Sequence, residues 1–223
     1  MRQRNIKNLD ERIAASSARL VEDPSSLKGH WSELFGNDRP IYLEIGCGKG
    51  DFIISHAKAE PECNFIACEG QSSVVLRTLE KAEANESDNL RVFIAYVHDL
   101  GDYFELGELS GIYLNFSDPW PKVRHSKRRL TYRSYLRNYK ELLSEDGFIE
   151  FKTDNDGLFE FTLEEIAECG YEIVEMTRDL HDSSVPVADS ADEGSYAAKS
   201  RNFKTEYEKR FIERGKNISF VRL

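Results

Sequence analysis

The chain has 223 residues, 40% of them hydrophobic and 31% charged, with 14 Gly and 6 Pro. That is the make-up of a folded domain, long enough to bury roughly 70–75% of its extended-chain surface without staples. No run approaches the ~18 apolar residues of a membrane span, and no apolar stretch follows the basic Met1-Arg2-Gln3-Arg4 to make a secretion signal. Its net charge of −10 speaks, as a sum, against a nucleic-acid partner, but six basic and no acidic residues lie between Lys122 and Arg133, and RNA can bind a patch of that kind.

Strand and helix signals alternate. Ile41 to Ile45 reads as a short buried strand closed by glycines, and Asn64 to Cys68 as a second. Between Gln71 and Asn85, Val75, Leu79 and Ala82 share one helix face. Leu90 to Ala95 is a third strand and Ile112 to Leu114 a fourth. A helix over Tyr132 to Leu143 then carries Leu136, Tyr139 and Leu143 on one stripe. Phe148 to Lys152 is a fifth strand, Asp156 caps a helix that Gly170 ends, and Tyr171 to Met176 is a sixth strand. Glu206 to Ile212 and Ile218 to Arg222 look like two strands of a C-terminal antiparallel hairpin turning near Gly215. The expected fold is α/β, a mostly parallel sheet with helices on both faces, forming one domain over 1–223 with an N-terminal extension at 1–27. Residues 179–200, rich in Asp, Ser and Ala without periodicity, read as a mobile loop, either a lid or a plain connector. Cys47, Cys63, Cys68 and Cys169 form no C-x-x-C pair and the five histidines keep no metal-ligand spacing; reduced thiols, no metal and a cytoplasmic location are the expectation.

Ligands of such sheets bind beyond the carboxyl ends of the strands. There, Glu44-Ile45-Gly46-Cys47-Gly48-Lys49-Gly50 leaves the first strand and opens a helix. The G-x-G-x-G spacing differs from the G-x-G-x-x-G of dinucleotide binders. Glu44 before the turn would repel a pyrophosphate but suits the sulfonium and ammonium groups of S-adenosylmethionine, so Glu44, Gly46 and Gly48 are candidate cofactor residues. Glu69 ends the second strand 23 residues after Gly46, where a carboxylate can accept from both ribose hydroxyls.

Asn115-Phe116-Ser117-Asp118-Pro119-Trp120-Pro121-Lys122 follows the fourth strand, and two prolines hold Trp120, which either presents an aromatic face or packs in the core. Asp118 lies where the crevice should be. Arg124, Lys127, Arg128 and Arg129 follow, a density of cations that repels itself unless anions bind, and are candidate RNA phosphate contacts. A basic residue opening the next helix opposes its dipole, a further hint of purpose. Phe151 to Asn155, with Asp154, ends the fifth strand beside the crevice, and Thr205 to Glu208 opens the presumed hairpin, so carboxylates converge on one place.

These segments, in order over about residues 28–222, resemble the motifs of the bacterial tRNA (guanine-N7-)-methyltransferase family, the run from Asn115 to Tyr132 most specifically. The resemblance implies a seven-stranded Rossmann-like methyltransferase fold and methyl transfer from S-adenosylmethionine to N7 of a guanine in the tRNA variable loop; the sequence leaves monomer and homodimer both open. It implies cofactor positions at Glu44, Glu69 and Asp118 and substrate positions at Lys122, Asp154, Thr205, Tyr207 and Glu208. In one place the sequence departs from the family: an acidic residue is usual at the end of the third strand, near the adenine, and here Tyr96 stands there, with Asp99 three residues on.

N7 of guanine has a free lone pair, so no base is needed, and catalysis should rest on positioning and on carboxylates facing the cation that forms. Asp118 is the first candidate for that catalytic role. Asp154 or Glu208 would accept from guanine N1–H and the exocyclic amine, a pairing adenine cannot offer. The rival readings are a methyltransferase for a different substrate, which leaves the basic patch without a use, and a non-catalytic RNA-binding protein, which leaves the carboxylates without one.

Overall fold

Along strand Asn64–Glu69, Phe65 and Ala67 pack into one apolar cluster while Ile66 and Cys68 pack into another. Side chains alternate across a strand, so this strand feeds a core on each face of its sheet, which explains a sequence apolar at nearly every position. The computed structural model describes residues 6–182 and 196–223. Its strands are β1 Leu20–Val21, β2 Ile41–Ile45, β3 Asn64–Glu69, β4 Leu90–Ile94, β5 Leu109–Asn115, β6 Leu143–Thr153, β7 Glu175–Thr177 and β8 Ser219–Arg222. Its α-helices are α1 Leu9–Ala15, α2 Trp31–Phe35, α3 Asp51–Ala59, α4 Ser72–Ala84, α5 Arg133–Leu142, α6 Asp156–Glu168, α7 Tyr196–Ser200 and α8 Glu206–Ile212.

All eight strands join one sheet in the order β1-β4-β3-β2-β5-β6-β8-β7. The pairs from β1 to β6 are parallel, and β8 runs antiparallel to both β6 and β7. Helices α3 and α4 cover one face through Ile53, Ala57, Val75, Leu79 and Ala82. Helices α5 and α6 cover the other through Leu136, Tyr139, Leu158, Phe159 and Ile166. Because β2 neighbours both β3 and β5, the winding reverses there, and the parallel strands open their carboxyl ends on a common edge at that switch point.

The sheet has eight strands where seven are expected. The extra one, β1, is a two-residue strand within the presumed extension, too short to leave a periodic signal; it pairs with β4. β7 is three residues long, and 171–174 precede it as loop. The larger correction is at the C-terminus: Glu206–Ile212 is helix α8, not a strand, and no hairpin turns at Gly215. Thr205 caps the helix, its Oγ1 accepting from the Glu208 N–H at 2.9 Å, so the Thr-x-x-Glu spelling outweighs the β-propensity of Tyr207, Phe211 and Ile212. The antiparallel C-terminal pair is instead β7 with β8. Of the expected loop at 179–200, residues 183–195 lie outside the described residues, 196–200 form α7, and Leu180 is buried against Ile218 and Phe220. Among the described residues no helix is long and apolar enough to cross a membrane.

Candidate active site

At the end of β2, Glu44 is buried, and Oε1 accepts from Asn115 Nδ2 at 2.8 Å across the switch point. Its Oε2 has no hydrogen-bond partner. Burial pushes this carboxyl up to about 8, against the pull of Asn115 and the Lys152 amine. Directly above, the turn carries Gly46 and Gly48 at φ +74° and +56°, left-handed backbone open to glycine. A Cβ built on either would meet nothing within 4 Å, so the space beside the turn itself is open. Gly50 differs: its Cβ would lie 2.5 Å from Thr78 Cγ2, and it lets α3 pack closely on α4.

Glu69, at the end of β3, accepts from the Gly48 N–H at 3.2 Å and the Gln71 N–H at 3.0 Å, which fastens the turn to the neighbouring strand. Burial raises its pKa; those N–H groups lower it, and the nearby Asp118 raises it a little more. Tyr96, just beyond β4, is 67% exposed and lays its ring against Gly70.

Asp118 is exposed in the loop after β5. Two residues of that loop, Phe116 and Trp120, have φ of +53° and +39°, which for aromatic side chains costs of order 1–3 kcal/mol each and persists only where surroundings impose it. Phe116 stacks on Phe211 of α8. Arg129 donates from Nε to Pro119 O at 2.9 Å and from a terminal nitrogen to Trp120 O at 3.1 Å, and its guanidinium lies over Phe161. Arg128 lies over the Trp120 ring at 5.0 Å, with His125 at the ring edge. Trp120 is therefore a platform on the loop surface rather than core. Lys122, Arg124, Lys127 and Arg128 are exposed, whereas Arg129 is occupied in holding the loop. Arg133, the basic residue opening α5, is paired with Glu165, which also accepts from the Arg133 N–H at 2.6 Å; its place against the helix dipole has this structural answer.

On the far side of the crevice, Asp154 follows β6 and stands 3.6 Å from Lys216 Nζ. Tyr207 is 59% exposed on α8, while Glu208 is wholly buried. The Glu208 carboxylate meets His181 Nε2 at 2.8 Å and Lys152 Nζ at 3.6 Å. Lys49 of the glycine turn reaches Glu206 at 2.6 Å, tying α8 to the cofactor side.

Residues 38–221 match the model of a family described as "Putative methyltransferase". A tRNA (guanine-N(7)-)-methyltransferase of Lactococcus lactis subsp. cremoris (strain MG1363) is 45% identical over 218 residues, 98% of this chain and 95% of the relative. The chain belongs to the tRNA (guanine-N(7)-)-methyltransferase family. Another relative of that name, from Geobacillus sp. (strain WCH70), is 44% identical over 98% of this chain and 93% of its own. Among solved structures, an antibiotic-related methyltransferase has a TM-score of 0.59 at 17% identity, covering 87% of this chain and 91% of that one. The 16S rRNA methyltransferase KamB has a TM-score of 0.59 at 12% identity, with the same coverage. At such identities the likeness is one of fold.

In this methyltransferase family member, the strand ends bring Glu44, Glu69 and Asp118 to one edge, as the motifs suggest, with Asp154 and Thr205 to Glu208 arriving from β6 and α8. Sequence reasoning missed Lys152 and His181. Lys152 left a signal, a cation directly after Phe151 in a strand read as part of the sheet, which can be buried only with partners; it donates to Ser200 O at 2.8 Å and Phe203 O at 3.1 Å. His181 left none.

Proposed function

We propose that this enzyme transfers a methyl group from S-adenosylmethionine to N7 of a guanine in the variable loop of tRNA. The observation that carries the reading is the buried Glu44 carboxyl, one oxygen without a hydrogen-bond partner, at the start of a glycine turn that is itself lined by open space. A buried acceptor of that kind calls for a donor, and the ammonium group of S-adenosylmethionine is a fitting one. Gly46 and Gly48 would let the cofactor lie against the backbone, Glu69 would take the ribose hydroxyls, and Tyr96, flat on Gly70, would border the adenine in place of an acidic residue. When bound, S-adenosylmethionine supplies a methyl group on a sulfonium, electrophilic enough for a neutral ring nitrogen.

The protein's part is then placement and charge. Asp118 stabilises the positive charge arriving on the guanine ring, and its strained loop holds it there without reorganisation. Asp154 accepts from the N–H groups on the Watson–Crick edge, with Thr205 and Tyr207 beside it and the buried Glu208 holding their helix in place. An adenine would offer an acceptor there and leave a carboxylate unpaired. Lys122, Arg124, Lys127 and Arg128 hold phosphates, and the target base leaves its stack to reach the crevice. Arg129 serves the same surface by fixing the Trp120 loop. The whole chain works as one methyltransferase domain in the cytoplasm, where its tRNA partner is.

The test is methyl transfer from labelled S-adenosylmethionine to unmodified tRNA transcripts, followed by nucleoside analysis. Label in 7-methylguanosine is the expected result. Label in another nucleoside, or none with cofactor bound, refutes the substrate assignment.

A further inference from the structure

Glu208 occupies the third turn position of α8, where the glutamate of a Thr-x-x-Glu box would ordinarily bend back to the capping residue's own N–H. The Glu208 N–H does reach Thr205 Oγ1, but the Glu208 carboxylate goes elsewhere. Its Oε1 takes His181 Nε2 at 2.8 Å, 27 residues away in sequence, and its Oε2, though buried, has no hydrogen-bond partner. That same Oε2 lies 3.6 Å from Lys152 Nζ, a pairing of charges with both side chains wholly buried. Burial lowers the pKa of the Lys152 amine; Glu208, Glu150 and Glu44 oppose that, so one amine links the Glu208 carboxylate to the floor of the cofactor side.

His181 is itself fixed on its backbone. Its N–H donates to Asp179 Oδ1 at 3.2 Å, and the preceding Leu180 N–H donates to Ile218 O at 2.7 Å. Because a carboxylate oxygen only accepts, Nε2 carries the ring proton. The helix gives up a local cap for this long-range contact, and the first turn of α8 is held between His181 on one carboxylate oxygen and Lys152 on the other.

We propose that His181 is a positioning residue for the target guanine: by holding Glu208 Oε1 while Lys152 faces Oε2, it fixes the first turn of α8, which carries Thr205 and the exposed Tyr207. The proposal rests on the guanine methyltransferase reading above and adds a residue to it. The experiment compares His181→Ala, His181→Phe (which fills the space without a donor) and His181→Gln (whose amide can replace Nε2–H). For each, kcat and KM are measured on unmodified tRNA transcripts, normalised to S-adenosylmethionine binding stoichiometry, with cofactor Kd measured by calorimetry. Phosphate contacts dominate tRNA affinity, so the loss should fall on kcat: about tenfold or more for Ala and Phe, with KM and cofactor Kd within about twofold, and recovery to within about threefold of wild type for Gln. Should His181→Ala fail to fold, the Phe and Gln pair decides. Wild-type-like kcat in Ala or Phe, or a Gln variant no better than Phe, overturns the role of His181 and leaves the function standing. A wild-type enzyme that leaves guanine unmodified overturns the functional reading and this one with it.

Discussion

Replacing Glu44 by Gln should stabilise the cofactor-free protein at high pH while weakening its hold on S-adenosylmethionine. The carboxyl is buried, one oxygen is unpartnered, and burial lifts its pKa from 4.5 to about 8. Below pH 4.5 the group is protonated whether the chain is folded or not. Between 4.5 and 8 the unfolded chain has lost this proton and the folded one keeps it, so stability falls as pH rises; above 8 the folded protein carries the whole cost of a buried charge. At ~1.4 kcal/mol for each pH unit of that window the cost reaches at most about 5 kcal/mol. Glu44→Gln keeps an acceptor for Asn115 and does not titrate. Its melting temperature should therefore rise relative to wild type from pH 5 to pH 9, by roughly 10 °C at the top of the range at about 2–4 °C per kcal/mol. A cationic ligand beside Glu44 favours the carboxylate, so binding at pH 7 should expel a proton in the wild type alone, and the variant should bind at least ~100-fold more weakly. Scanning calorimetry across pH and titration calorimetry in buffers of differing ionisation heat read both effects. A melting difference flat with pH, together with binding enthalpies independent of buffer, would show Glu44 already ionised and refute the burial argument.

Asp118→Ala and Asp154→Ala should each lower turnover by at least ~100-fold with the melting temperature little changed, as lost charge contacts do; turnover within a few-fold of wild type would remove them from the site. Lys127→Ala with Arg128→Ala should weaken tRNA binding and flatten its dependence on salt by about two ions' worth, measured by filter binding from low to moderate salt; an unaltered slope would move the footprint elsewhere. Arg129→Ala should act differently, lowering kcat through a loosened Trp120 loop more than it changes the salt slope, since its guanidinium is bonded to Pro119 and Trp120 carbonyls. Gly50→Ala should destabilise the protein by about 1–3 kcal/mol in denaturant titration, because the new Cβ meets Thr78 at left-handed φ; an unchanged midpoint would mean the α3–α4 contact yields.

The parallel half of the sheet was legible because each of its strands is a run of apolar residues ended by a turn, and burial on both faces leaves just that imprint. Glu44, the glycine turn and the loop through Asp118 were legible for a related reason, since close backbone approach and restrained geometry demand Gly and Pro at particular places. The C-terminal region was misread because α8 is short and rich in Tyr, Phe and Ile, so local propensity pointed one way and the Thr205–Glu208 cap the other. Charge roles were harder still. Nothing in the run from Arg124 to Arg133 distinguishes the exposed Arg128 from Arg129 and Arg133, whose partners are loop carbonyls and Glu165 supplied by the fold. His181 meets Glu208 only through the packing of distant segments, a relation that no local pattern encodes.

Among the described residues, strand β7 pairs with the sheet only through β8, which slots between it and β6. The two sides of the crevice therefore rest on unlike foundations. The glycine turn, Glu44 and Glu69 hang from β2 and β3, interior strands paired along both edges, whereas His181 follows Leu180, whose N–H is tethered to Ile218 next to a strand of four residues. Loosening that last strand should detach β7 and free His181 from Glu208 together, with the core of the sheet intact. With the roles proposed for His181 and Glu44, local breathing would disarm recognition of the base before it disturbs the cofactor's cradle, and damage to the C-terminal strand would first show as an enzyme that still takes up its methyl donor and has lost its choice of nucleotide.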